Sequence, residues 1–131
     1  MINTAARVLV ADDSLTIATA LALSIRRAGF DVTTTHSGED ALRLARASQY
    51  NLVISDQQML EMSGVELCGH LRATGAYREI PFILLTASSE LDVNQLLADP
   101  GVTSVLGKPF KPSAIVSLVK QLTAEKAPSS A

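Results

Sequence analysis

Leu52-Val53-Ile54 is a short apolar run bounded by Asn51 on one side and Ser55-Asp56 on the other. It reads as a strand covered on both faces, as in a parallel sheet. A chain that builds its core from such strands must lay helices on both sides of the sheet, which leaves an α/β architecture. Asp56 then stands at the C-terminal end of the strand, where open α/β sheets bind their ligands. Three further apolar runs end on polar chemistry in the same way. Arg7 to Ala11 leads into Asp12-Asp13, Phe82 to Leu85 into Thr86, and Val102 to Gly107 into Lys108.

The segments between these runs have helical spacing. Ile17, Leu21, Ile25 and Ala28 recur at intervals of four and three, which predicts a helix opened by Ser14 as N-cap and closed by Gly29. Phe30 to Thr35 is rich in β-branched residues and polar enough for an edge strand. Ser37-Gly38-Glu39-Asp40 resembles a capping box with Asp in the Glu position, before a helix with Ala41, Leu42 and Ala45 inward. A loop from Gln57 to Ser63 follows the Asp56 strand, then a helix from Gly64 to Ala73 stopped by Thr74-Gly75-Ala76. Pro81 opens the fourth strand. A weaker helix spans Glu90 to Ala98 and stops at Asp99-Pro100-Gly101. Pro112-Ser113 starts the last helix, with Ile115, Val116, Leu118, Val119 and Leu122 packing inward.

The order is β-α repeated five times. Right-handed crossovers then give a flavodoxin-like doubly wound sandwich with a five-stranded parallel sheet in the order 2-1-3-4-5. Its switch point falls between strands 1 and 3, which carry Asp12-Asp13 and Asp56. At 131 residues the chain is one domain, expected over 1–124, with 125–131 a flexible tail or the start of a linker.

Net charge is −2 with acids and bases interspersed, so nucleic-acid binding by this segment is not expected. The single cysteine, Cys68, excludes an internal disulfide and fits a reducing compartment. No signal-peptide pattern and no apolar run of bilayer-spanning length is present, so a soluble, cytoplasmic protein without membrane association is expected.

Three carboxylates at one sheet edge repel each other. Two unit charges ~4 Å apart cost on the order of 4 kcal/mol at an effective dielectric of 20. A proton, Lys108 or a divalent cation must offset that. Hard oxygen ligands favour Mg²⁺, with Mn²⁺ as a substitute. A strand-end aspartate beside such an ion is a nucleophile suited to phosphorus. Thr86 can donate to a phosphoryl oxygen and Lys108 can neutralise one.

The pattern resembles the receiver domain of two-component response regulators, from Val8 to about Leu122. The resemblance rests on Asp12-Asp13-Ser14, on Asp56 with Met59 and Gly64 after it, on Thr86-Ala87, and on Lys108-Pro109-Phe110. The separations also match: thirty positions from Asp56 to Thr86 and twenty-two from Thr86 to Lys108. The resemblance implies that Asp56 accepts a phosphoryl group from a histidine kinase or a histidine phosphotransfer protein. It implies that Asp13 binds Mg²⁺ directly, Asp12 largely through water, and Gln58 through its backbone carbonyl. Thr86 and the backbone of Ala87 would hold the phosphoryl oxygens, with Lys108 as counter-charge. A cis Lys108-Pro109 bond is implied too. Family members tune dephosphorylation at the positions held here by Gln58 and Ser88. The output face would run from Ser88 to Leu122 toward an unidentified effector, on a monomer or a weak phosphorylation-dependent dimer.

Two residues depart from the family pattern. Leu60 stands where receivers place proline, which implies a looser loop. Val105 stands where they place Tyr or Phe, a ring that turns inward when the threonine moves; valine cannot act as such a rotor. That leaves a second class of function, a pseudo-receiver acting as a phosphorylation-independent adaptor. A phosphohydrolase of the haloacid-dehalogenase type needs an aspartate where this chain has Gln58. An FMN-binding flavodoxin needs a phosphate loop where it has Asp12-Asp13. No turnover of an external substrate is expected. His36 and His70 are read as isolated, Cys68 as a small helix-face residue, Met59 and Met62 as packing, and the Gln57 side chain as an ordinary loop residue.

Overall fold

The structure, a computed structural model, describes residues 5–87 and 90–126, with the backbone alone for 90–92 and 125–126. Five strands, β1 (Arg7–Ala11), β2 (Asp31–Thr35), β3 (Leu52–Asp56), β4 (Phe82–Thr86) and β5 (Ser104–Gly107), alternate with five helices. The helices are α1 (Leu15–Arg27), α2 (Gly38–Ala47), α3 (Gly64–Arg72), α4 (Glu90–Leu97) and α5 (Pro112–Lys126). All strand pairs are parallel, in the order β2-β1-β3-β4-β5. The chain therefore has the expected doubly wound architecture, with the polar β2 at an edge.

The period of two along each strand divides the core in two. Leu9, Val53 and Leu84 face α2 and α3, packing with Ala41, Leu42, Ala45, Leu67, Cys68 and Leu71. Val8, Val10, Ile54, Ile83 and Leu85 face α1 and α5, packing with Leu21, Ile25, Ile115 and Val119. Both sheet faces are thus covered, which is why β3 and β4 are buried at every position. Cys68 is buried, as the helix-face reading requires, and Met59 and Met62 pack against the α2–α3 cluster.

The caps explain where the helices start and stop. Ser14 Oγ accepts from the Ile17 N–H at 3.3 Å, and Gly29, at φ +103°, takes the left-handed conformation that ends α1. Arg26 and Arg27 in the last turn of α1 favour its dipole. At α2, Ser37 Oγ accepts from the Asp40 N–H at 3.1 Å. A reciprocal capping box occurs instead at α3, where Ser63 and Glu66 bond each other's backbone at 2.8 and 3.1 Å. The Ser63 N–H, and after it the Ser63 hydroxyl, hold the Glu66 carboxyl below its ordinary value.

Several expected boundaries shift. β2 begins at Asp31, one residue after Phe30. Val102 is buried but lies before β5, because the turn bond from its N–H to the Asp99 carbonyl (3.1 Å) precedes the first strand pairing at Ser104. α3 ends at Arg72, and Gly75–Tyr77 continues as a 3-10 turn rather than a plain stop. That turn buries Tyr77, whose hydroxyl reaches the Ser48 carbonyl at 2.6 Å, the Ala45 carbonyl at 2.8 Å and the Tyr50 N–H at 3.1 Å. α5 runs to Lys126, so Glu125 and Lys126 belong to it and not to a tail; the remaining expected tail, 127–131, and Ser88 lie outside the described residues.

Candidate functional site

The strand register assembles the site. Ala11 pairs with Ser55, so Asp12 and Asp56 follow at the same level on adjacent strands. Asp56 pairs with Leu85, which puts Thr86 one step further along β4. Thr86 pairs with Gly107, so Lys108 comes one step beyond that. Residues far apart in sequence thus step across one edge of the sheet, at its carboxyl end.

Asp12, Asp13 and Asp56 come together, each offering a carboxylate oxygen within 4.8 Å of the others. Asp12 is fully buried and Asp56 nearly so, while Asp13 is exposed. Asp12 Oδ1 accepts from the Ser14 N–H at 2.9 Å. Its Oδ2 is buried and has no hydrogen-bond partner among the described residues. Burial pushes the Asp12 carboxyl above its ordinary value; the Ser14 N–H opposes this, the Asp56 charge adds to it, and Lys108 pulls it back down.

Lys108 supplies the counter-charge. Its Nζ lies 3.0 Å from Asp56 Oδ1 and 3.5 Å from Asp12 Oδ2. The Lys108 N–H donates to the Thr86 carbonyl at 2.7 Å, which extends the β4–β5 pairing past the strand end and fixes where the side chain begins. The Lys108-Pro109 bond is cis, as expected. Thr86 is fully buried at the end of β4, and Ala87 after it is exposed.

This donor set fits a hard divalent cation. Three carboxylates converge, the buried Asp12 Oδ2 has no hydrogen-bond partner among the described residues beyond its ion-pair contact with Lys108, and a single ammonium cannot neutralise all three charges.

Gln57 is more than an ordinary loop residue. Its N–H donates to the Leu85 carbonyl at 2.8 Å, and its own carbonyl accepts from the Gly64 N–H at 3.0 Å. Its side-chain Oε1 accepts from the Val65 N–H at 2.9 Å. The loop after Asp56 is therefore tied at its two ends. Leu60, in the proline position, is 82% exposed, its carbonyl accepts from the Met62 N–H at 2.7 Å, and Glu61 turns the chain at φ +70°. Gly64 permits the close docking: a Cβ there would lie 2.7 Å from the Asp56 carbonyl oxygen and 2.5 Å from Leu84 Cδ2. The Ser-x-x-Glu spacing of Ser63 and Glu66 was legible in the sequence as a capping box. The Gln57 tether had no local signal, because its acceptor acts across the whole loop.

The remaining polar candidates stand aside from the carboxylates. His36 is not fully isolated: its Nδ1 lies 3.2 Å from the Asp12 carbonyl, in position for an N–H to donate to it. His70 sits in the last turn of α3, where positive charge suits the helix dipole. Burial pushes the Cys68 thiol up, which makes it a packing group and not a nucleophile. Val105 is half-buried, paired with Leu84 and packed on the α2–α3 cluster.

The sequence model described as response regulator receiver domain matches residues 8–120. The chain is 32% identical over 116 residues to the alkaline phosphatase synthesis transcriptional regulatory protein PhoP of Bacillus subtilis, covering 88% of this chain and 48% of PhoP. It spans about half the length of the curated relatives it matches. The chemotaxis response regulator CheY4 of Vibrio cholerae superposes with a TM-score of 0.85 at 30% identity, covering 91% of this chain and 99% of CheY4. The receiver domain of the sensor histidine kinase PA1611 of Pseudomonas aeruginosa shares the fold, with a TM-score of 0.84 at 24% identity over 92% of this chain and 99% of that one. In that protein a magnesium ion is coordinated in the active site cleft.

Proposed function

From the premise that the chain belongs to the response regulator receiver family, we propose that Asp56 accepts a phosphoryl group from a protein phosphohistidine in a Mg²⁺-dependent reaction. The observation that carries this is Lys108 Nζ 3.0 Å from Asp56 Oδ1, beside three carboxylates within 4.8 Å. Asp12, Asp13, Asp56 and the Gln58 backbone carbonyl would hold the cation, and Mn²⁺ could replace it. When bound, it offsets carboxylate charge and neutralises phosphoryl oxygens. An Asp56 carboxylate oxygen attacks phosphorus. A P–O bond forms as the P–N bond to the donor imidazole breaks, and the imidazole leaves with a proton from solvent. Lys108 balances the charge on one phosphoryl oxygen. The Thr86 hydroxyl and the Ala87 N–H donate to the others. The aspartyl phosphate later hydrolyses, so no external substrate is turned over.

The cavity beside the site supports a protein as phosphodonor. It has a volume of about 510 Å³, opens next to Lys108 and Ala87, and is walled by Ile17, Ala20 and Phe110. A histidine-bearing helix from a histidine kinase or phosphotransfer protein suits such an apolar wall. Phosphorylation then shifts a two-state equilibrium that alters contacts with an effector. Val105 brings no ring to that equilibrium, so the threonine must signal through aliphatic packing. Among the described residues no helix is long and apolar enough to cross a membrane.

Intact mass after incubation with Mg²⁺ and a small-molecule phosphodonor tests the proposal. One added phosphoryl group is expected in the parent, and none in Asp56→Ala or without Mg²⁺. An equal gain in Asp56→Ala overturns the assignment of the acceptor. Failure to label from any donor, phosphohistidine proteins included, leaves the chain a phosphorylation-independent adaptor.

A further inference from the structure

We infer that Gln57 is a positioning residue for the metal-binding end of the site, its side-chain carbonyl tethering the β3–α3 loop so that the Gln58 backbone carbonyl is held toward the aspartates. The inference rests on the proposed function and deepens it.

The N-terminus of α3 shows what the side chain adds. The first helical N–H groups have no intrahelical partner and must be satisfied otherwise. Here Gly64 N–H donates to the Gln57 carbonyl at 3.0 Å, and Glu66 N–H to Ser63 Oγ at 3.1 Å. The Val65 N–H between them is met by Gln57 Oε1 at 2.9 Å. The reciprocal Ser63–Glu66 box serves the N–H groups of Ser63 and Glu66 and leaves the part-buried Val65 N–H to Gln57. What the side chain alone provides is a second bond across the loop, from position 57 to position 65.

That second bond fixes residue 57 in three directions. Its N–H is held by Leu85 on β4, its carbonyl by Gly64 and its side chain by Val65. The peptide plane joining Gln57 to Gln58 is set by the bond to Gly64, since C=O and the next N–H share one plane. The Gln58 carbonyl is then left with only its own two backbone torsions. Gly64 closes the same joint from the other side, its Cα so near the strand end that a Cβ would sit 2.7 Å from the Asp56 carbonyl oxygen. A backbone ligand is only as well placed as the groups that orient it.

The full chain is compared as parent, Gln57→Met and Gln57→Glu, unphosphorylated. Met keeps the length but loses the strong acceptor; Glu keeps the acceptor. Amide exchange at Val65 and the Mg²⁺ dissociation constant, by calorimetry, are the two readouts. Gln57→Met is expected to speed Val65 exchange and weaken Mg²⁺ binding, each by roughly threefold to tenfold, the size of one lost hydrogen bond. Gln57→Glu is expected to retain both. Faster exchange with unchanged Mg²⁺ affinity in Gln57→Met makes the residue a helix cap only and overturns the inference. Unchanged exchange overturns it too, since no tether is then present in solution. Absence of Mg²⁺ binding in the parent instead sinks the proposed function, and the positioning role with it, while Val65 exchange still reports the tether.

Discussion

Lys108 Nζ sits 3.0 Å from Asp56 Oδ1 while also facing Asp12 Oδ2 at 3.5 Å, so one ammonium spans the two buried carboxylates. The amine and the proposed Mg²⁺ would therefore compete for the same negative charge. Lys108→Met is expected to tighten Mg²⁺ binding severalfold, because a repelling charge is gone. It is expected to destabilise the metal-free protein by about 1–3 kcal/mol, since two carboxylates lose their partner in a partly shielded site. Calorimetric Mg²⁺ titration and urea unfolding without metal check the two directions. Weaker Mg²⁺ binding would show that the lysine helps to hold the metal site and does not compete with it.

Asp12 carries a stability cost with a defined sign. Its carboxyl is raised above the ordinary value of 3.8, chiefly by burial. A group raised in the folded state contributes stability that is full below the unfolded value and is lost as pH rises through the folded one. The metal-free parent thus loses stability across that window, and Asp12→Asn does not. At pH 7 the variant is expected to be more stable than the parent without metal and to gain less from Mg²⁺. Urea unfolding from pH 4 to 8, with Mg²⁺ and with chelator, measures both effects. Identical pH profiles for parent and variant would count against this account.

Gly64→Ala forces a methyl to within 2.7 Å of the Asp56 carbonyl oxygen and 2.5 Å of Leu84 Cδ2. Backbone cannot rotate away as a side-chain tip can. A loss of about 1–3 kcal/mol or more is expected in urea unfolding, together with amide shifts at Asp56 and Gln57. A neutral effect would mean that α3 docks less closely on β3.

Arg72 is half-buried and gathers three carbonyls that no strand or helix serves. Its Nε and Nη2 donate to Gly101 at 3.0 and 2.5 Å, and its Nη1 to Tyr77 and Ile80 at 2.6 Å each. Arg72→Met takes the guanidinium from all three carbonyls, leaving Gly101 only the weak Cys68 thiol donor at 3.3 Å, and is expected to cost about 2–4 kcal/mol, with faster amide exchange in the turn after α4. Arg72→Lys should recover only part, because an ammonium lacks the planar fork. Full recovery by lysine would show that charge matters here and fork geometry does not.

Mg²⁺ itself should act as a stabiliser. Ligand at one hundred times its dissociation constant adds about 2.7 kcal/mol to the folded state. A rise in Tm on adding Mg²⁺, reversed by chelator and absent in a variant lacking both Asp12 and Asp13, is the expected outcome. Equal shifts in that variant would place the ion elsewhere.

The sequence by itself determined the architecture and the membership of the carboxylate cluster. Strand runs such as Leu52–Ile54 carry a two-sided apolar signal, caps such as Ser14 and Gly29 act within a few residues, and Asp56 and Thr86 close their strands while Asp12 and Lys108 come directly after theirs. Those signals are local, so they survive without coordinates. Only the tertiary structure decided which oxygen of Asp12 is left buried without a hydrogen-bond partner, how Lys108 divides between Asp12 and Asp56, and that Gln57 reaches across its loop to Val65. It also decided that Arg72, a charged residue in the last turn of an amphipathic helix, turns in to serve Gly101. Each of these depends on which backbone groups the packing leaves unpaired, and desolvation fixes that only once helices and sheet are in contact.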